Sequence, residues 1–151
     1  MRTTPLMLAA LLAAPLGATP ALADEGWESN LGFIIWEETM GPDAVLRAFT
    51  AEGTSGPVIR LVVPGLGRDA LGGRGAYHGV WVASGGSVRC ATEMLDPVSG
   101  APSPFWGGVV ITFLNDGFPS DWAGVYGNCL AAPASPITGR ALVGEERNRA
   151  P

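Results

Sequence analysis

The sequence contains no lysine and a single histidine, and all nine of its basic residues are arginines. The absence of lysine excludes Schiff-base chemistry and the phosphate-binding lysine of nucleotide-binding loops. Charged residues make up only 15% of the chain, and 14 acidic against 9 basic residues give a formal charge of −5. This acidic balance argues against nucleic acid and anionic membrane surfaces as partners.

Long helical patterns are missing as well. No stretch of ten or more residues combines apolar spacings of three and four with capping residues at its ends. Instead, 22 glycines and 13 prolines separate short apolar segments. Short apolar segments between turn residues are typical of strands, and they predict an all-β fold.

The segments with alternating or β-branched character indicate seven or eight strands. They are Phe33–Glu37, Ala44–Thr50, Val58–Val63, Gly75–Ala83, Ser87–Met94, Trp106–Leu114 and Trp122–Cys129, with a last short apolar piece at Ala141–Val143. Their spacing predicts a small antiparallel barrel or sandwich, and sequential hairpins favour an up-and-down order. The glycines of Ser84–Gly86 predict a hairpin turn between two of these strands.

The N-terminus has the pattern of a secretory signal. Arg2 precedes the apolar run Leu6–Ala18, and Ala21–Ala23 forms an A-x-A cleavage site. We therefore expect a cleaved signal peptide over residues 1–23, a single domain over residues 24–144 and a polar, frayed tail over residues 145–151. The apolar run is shorter than the ~20 residues of a membrane span. The expected location of the mature chain is the periplasm or the outside of the cell, with no membrane span.

Only two cysteines are present, Cys90 and Cys129, and both lie in the expected mature chain. In an oxidising compartment an isolated pair is usually bridged. A metal or redox pair is the alternative, but the sequence contains no C-x-x-C motif and no further ligand cluster next to either cysteine. The pair therefore predicts a structural disulfide.

One glycine motif needs separate treatment. Gly65–Ala70 matches the dinucleotide pattern G-x-G-x-x-A, but Leu71–Gly75 cannot continue the helix that this chemistry requires. Nucleotide binding is therefore not predicted. A glycine-rich loop with Arg68 and Arg74 retains a milder interpretation, in which these two arginines contact an anion.

No catalytic or metal-binding pattern is found. His78 has neither a local orienting partner nor a serine in a nucleophile elbow, so it is not predicted to be catalytic. A single histidine, two bridged cysteines and scattered carboxylates do not give zinc or calcium spacing. We expect no metal and no cofactor.

Aromatic residues are the most informative feature that remains. Tyr77 and Trp81 share one face of their strand, Trp122 and Tyr126 share one face of theirs, and glycines alternate with these rings. If Cys129 points inward, Trp122 and Tyr126 point outward or towards a second layer. These four aromatics are our candidate ligand-binding face; the alternative is that the rings pack in a core and the glycines make room for them.

The combination of short strands, tryptophans near strand starts and one disulfide is similar, in architecture alone, to small exported barrel binders such as lipocalins and avidins. The Gly-x-Trp of lipocalins is not reproduced, since Gly26 and Trp27 are adjacent, and no family or site is assigned. The sequence favours a non-catalytic exported binding module for a small ligand or for a partner protein that it inhibits. The alternatives are an envelope protein with a structural or accessory role and no ligand, and a small hydrolase that uses two carboxylates.

Overall fold

A computed structural model describes residues 25–69, 75–115 and 118–142, with Arg68 and Asp69 described by their backbone alone. The elements are β1 (Gly26–Ser29), β2 (Gly32–Met40), β3 (Asp43–Phe49), a 3-10 turn (Gly53–Ser55), β4 (Ile59–Val63), α1 (Leu66–Asp69), β5 (Ala76–Ala83), β6 (Met94–Leu95), β7 (Pro102–Ser103), β8 (Phe105–Phe113), β9 (Trp122–Tyr126) and β10 (Ser135–Ala141). The predicted signal peptide and polar tail lie outside the described residues.

Eight antiparallel strands close into a barrel in the order β1-β10-β9-β8-β5-β4-β3-β2, and β1 pairs with β2 to complete the ring. β6 and β7 form a separate two-stranded ribbon. The prediction of an all-β antiparallel fold with about eight strands is confirmed, and the barrel is the form it takes. Among the described residues, no helix has the length and apolar character needed to cross a membrane.

Alternation along each strand builds the barrel interior, because every second side chain points inward. The buried interior side chains form one cluster: Trp27, Ile34, Trp36, Ala44, Leu46, Leu61, Val63, Leu66, Val109, Ile111, Phe113, Trp122 and Ile137. On β10 an interior glycine makes room for a ring: a Cβ added to Gly139 would overlap with the indole of Trp122.

One end of the barrel is plugged by aromatic rings. Phe118 lies between Trp27, Trp36 and Phe113, with ring centroids 6.0, 5.7 and 5.9 Å away in edge-to-face arrangements. The indole N–H of Trp27 donates a 2.9 Å hydrogen bond to the main-chain carbonyl of Ser120. These contacts attach the segment before β9 to the interior and close this end of the barrel.

The predicted strand Ser87–Met94 is wrong. Apart from Met94, which begins β6, its residues form bends and irregular loop, and β5 pairs with β8 over its whole length rather than with this segment. The segment lies against the outer wall through Cys90, which packs with Val82 and Trp106. The alternating sequence of this segment therefore belongs to a loop in which Cys90 is the buried residue, and not to a strand.

One barrel strand was not predicted, and another was predicted only at its end. β1 is a four-residue strand, and β10 extends from Ser135 to Ala141, where the sequence indicated only an apolar piece at Ala141–Val143. Exposed and small residues dominate β10, and its only buried residues are Ile137 and Gly139. Such a strand is recognised by its pairing with β1 and β9 rather than by its own pattern.

Candidate functional site

The end of the barrel opposite the aromatic plug carries three loops. They connect β3 to β4, β5 to β8 and β9 to β10, and the tight turn between β1 and β2 lies beside them. Connections in an up-and-down barrel alternate between its two ends, so all of these segments border the same opening. We call this opening the mouth.

A pocket of about 380 Å³ leads from the mouth into the barrel. Its walls are interior side chains of the strands: Ile34, Ala48, Ile59, Leu61, Trp81, Val109, Tyr126 and Ile137. Its rim consists of residues at strand ends and in the loops, including Leu31, Phe33, Phe49, Thr50, Ser87, Val88, Phe105 and Asn128. All of the lining side chains in the described part of the chain are uncharged, and most are apolar.

The orientation of Trp81 is fixed within this wall. Its indole N–H donates a 2.8 Å hydrogen bond to the main-chain carbonyl of Gly127. The hydrogen bond passes over Gly107 on β8, where an added Cβ would overlap with the Gly127 carbonyl oxygen and lie 2.8 Å from the indole nitrogen. The absence of a side chain at Gly107 therefore leaves room for the Trp81 indole, and the ring turns an apolar face to the pocket.

The disulfide joins two segments of the rim. Cys90 and Cys129 are bonded with a Cα–Cα distance of 5.4 Å, which confirms the predicted bridge. Cys90 follows the rim residues Ser87 and Val88, and Cys129 follows Asn128. Because each cysteine lies close in sequence to residues of the rim, the bridge restricts two neighbouring loops of the mouth together.

The disulfide also explains which way the neighbouring faces point. It packs on the outside of the barrel wall with Val82 and Trp106, and the indole N–H of Trp106 donates a 2.8 Å hydrogen bond to the carbonyl of Thr92. Cys129 lies beyond the end of β9 and has a positive φ of 55°. Cys129 therefore does not point inward: it lies on the outer side of the wall, and Trp122 and Tyr126, on the opposite face of β9, turn inward instead of outward.

All four predicted aromatics project into the barrel, but they lie at different depths. Trp81 and Tyr126 line the pocket. Trp122 is 1% exposed, and Tyr77 packs edge-on against Phe113 with centroids 5.9 Å apart. The latter two thus belong to the core near the closed end.

Three phenylalanines of the pocket were not among the predicted site residues. Phe33, Phe49 and Phe105 each lie at or next to the end of a strand that borders the mouth. The sequence signal that could have found them is this position at a strand end. Of the predicted anion contacts, Arg74 and the side chain of Arg68 lie outside the described residues.

A cluster of charged side chains lies on the outer wall around Arg60. The Arg60 guanidinium is 2.6 Å from Glu37 and 2.7 Å from Asp96, and Arg47 is 3.8 Å from Glu37. The hydrogen bond with Glu37 is the main effect that raises the pKa of Arg60. A cavity of about 420 Å³ lies beside this cluster, between the β6–β7 ribbon and the wall.

Asp96 joins the ribbon to the barrel in this cluster. Burial alone raises the pKa of its carboxyl, but hydrogen bonds from the Ser99 N–H and from Arg60 offset burial, and the pKa lies below its usual value. The Asp96 carboxylate also accepts a 3.0 Å hydrogen bond from the N–H of Val98. A carboxylate held ionised in this way suits an ion pair better than a general acid.

His78 is exposed on β5. Within residues 25–69, 75–115 and 118–142, no group of three or more potential metal-ligating side chains is found. Comparisons of the chain with protein-family models, curated proteins and solved structures find no match. The pocket in the open end of the barrel is therefore the candidate functional site on its geometry alone.

Proposed function

We propose that this protein is an exported, non-catalytic barrel protein that binds a small apolar molecule in the pocket at the mouth. The observation that carries the proposal is an apolar pocket of about 380 Å³ in a barrel whose other end is plugged. Small-molecule sites have volumes of roughly 300–1,000 Å³ and mostly apolar walls with a few polar groups. The disulfide supports export, because such bonds persist mainly in oxidising compartments.

The pocket is also held in shape before a ligand arrives. The Cys90–Cys129 bridge restricts the rim, and the hydrogen bond between Trp81 and Gly127 holds one wall. A preformed site avoids part of the entropy cost of ordering loops on binding. Binding is then driven by transfer of the apolar ligand surface from water into the barrel.

The first test uses N-phenylnaphthylamine, an uncharged probe that becomes fluorescent in apolar sites. We expect saturable binding with one probe per chain. Ala48→Trp fills the pocket from β3 and is expected to abolish binding, whereas Ala76→Trp, at an exposed position of β5, leaves it unchanged. Circular dichroism establishes that both variants are folded. Absence of saturable probe binding, or equal binding by both variants, would overturn the proposal.

Native mass spectrometry of the protein from the exported fraction of its own host is the second test. A reproducible extra mass of a few hundred daltons is the expected result. A stoichiometric partner protein instead of a small molecule would favour the inhibitor role, and a bare chain would favour the structural role without a ligand.

A further inference from the structure

We infer that the ligand is an uncharged molecule that inserts an apolar body into the barrel and leaves a single hydrogen-bonding group at the mouth. This inference rests on the proposed function and adds the chemical class and orientation of the ligand. Two features of the pocket support it: the distribution of polar groups along its depth and the positions of the nearest charges.

The inner part of the pocket offers hydrocarbon contacts. Leu61, Val109 and Ile137 are 3%, 2% and 5% exposed, and all three line the pocket. An ionised group placed against them would lose its hydration and gain no partner, which is strongly unfavourable. The inner end of the ligand is therefore apolar.

The polar side chains of the pocket lie at or near its mouth and are neutral. Ser87 is an exposed residue of the loop after β5, Asn128 follows β9, and Thr50 follows β3. Hydroxyl and amide groups can donate to and accept from an alcohol, a carbonyl or an amide. They supply no net charge to pair with a carboxylate or an ammonium group.

None of the arginine side chains in the described part of the chain lines the pocket: Arg89 follows the rim residue Val88 but is exposed, and two others are engaged on the outer wall. Arg60 is bound by Glu37 and Asp96 on the outer wall. Arg47 is turned to Glu37, and its guanidinium lies 4.8 Å from the centroid of the Phe49 ring. Neither arginine lines the pocket, so neither is placed to pair with an acidic ligand there.

The test compares three ligands with the same naphthyl body as competitors of N-phenylnaphthylamine at neutral pH. They are the uncharged alcohol naphthylethanol, the carboxylate anion naphthylacetate and the cation naphthylethylammonium. We expect the alcohol to displace the probe at a concentration at least tenfold lower than either ion does. Equal or stronger competition by an ion, or no competition by any of the three against a bound probe, would overturn this inference and leave the proposed function standing. If the probe itself does not bind, the proposed function fails.

A variant of the rim tests the orientation. Ser87→Arg places a guanidinium at the mouth, and we expect it to improve competition by naphthylacetate at least fivefold relative to the alcohol. Thr92→Arg, an exposed position of the same loop that does not line the pocket, is the matched control and is expected to leave the ratio unchanged. An unchanged ratio in folded Ser87→Arg would show that the polar end of the ligand is not at the mouth.

Discussion

The indole of Trp81 and the main chain of Gly127 are linked by a 2.8 Å hydrogen bond that spans β8. It connects a wall of the pocket to the loop that carries Asn128 and Cys129. The orientation of an aromatic ring inside the barrel therefore depends on a loop at its mouth. The proposed function therefore predicts that stability and binding are coupled at this position, and substitutions can separate the two.

Trp81→Phe keeps an aromatic ring but removes the donor to the buried Gly127 carbonyl. We expect a loss of about 1 kcal/mol in the free energy of unfolding and a several-fold weaker affinity for N-phenylnaphthylamine. Trp106→Phe on the outer wall removes an equivalent hydrogen bond, to Thr92, and serves as the control. Equal changes in probe affinity in the two variants would contradict the placement of Trp81 in the binding site. Denaturant unfolding and fluorescence titration measure the two quantities.

Removal of the disulfide tests how the rim is held. The bridge closes a loop between positions 39 residues apart. The chain-entropy model then predicts that Cys90→Ser with Cys129→Ser costs about 3–4 kcal/mol of stability. The remaining folded fraction should bind the probe more weakly, because two neighbouring loops of the mouth are no longer tied together. Equal unfolding curves with and without reductant would contradict a stabilising bridge.

Asp96→Asn tests the link between the ribbon and the barrel. The folded pKa of Asp96 lies below its unfolded value, so its contribution to stability is present above about pH 4 and is lost as the pH falls through the folded pKa. We expect the variant to be about 2 kcal/mol less stable at neutral pH. The difference from wild type should shrink in acid.

Glu93→Gln is the control for this pH dependence, since Glu93 is exposed in the same loop. Its stability should match the wild type at neutral pH. A stability difference between Asp96→Asn and the wild type that stays constant from neutral pH into acid would show that the ionised carboxylate is not what stabilises the ribbon. Chemical denaturation across a pH series is the measurement.

Gly107→Ala tests the close contact of β8 with the Gly127 carbonyl and the Trp81 indole. The new Cβ would overlap with the Gly127 carbonyl oxygen, so we expect a loss of about 1–3 kcal/mol or failure to fold. In Gly85→Ala the new Cβ is 3.8 Å from Pro57, an ordinary contact, and stability should change by less than about 0.5 kcal/mol. An unchanged unfolding midpoint for Gly107→Ala would contradict the packing described for the pocket wall.

The strands with strong alternation could be predicted from the sequence because their burial follows a period of two. β4 (Ile59–Val63) and β8 (Phe105–Phe113) lie within two residues of their predicted positions. Ser87–Met94 has the same pattern without a pairing partner in the barrel, because the partner of β5 lies some twenty residues further along the chain. Local periodicity carries no information on which strand pairs with which.

The pocket was less predictable than the fold for the same reason. Trp81 and Tyr126 could be proposed from their alternation with glycines, but the inward direction of Tyr126 depends on the side of the barrel wall on which the disulfide lies. Phe33 and Phe105 reach the pocket only because barrel closure brings β2 and β8 to one opening. Such a site forms only when the strands have paired and the barrel has closed.

Closure of the barrel rests on its shortest strand. β1 has four residues and bonds to β2 on one side and to β10 on the other. While β1 is in place, no strand of the barrel has an unpaired edge. If β1 detaches, β2 and β10 each expose an unpaired edge with which a strand of another chain can form hydrogen bonds. Self-association of this protein should therefore track the local opening of β1 rather than its global unfolding. Hydrogen exchange at Trp27 and Glu28 would reveal that opening before any loss of the barrel as a whole.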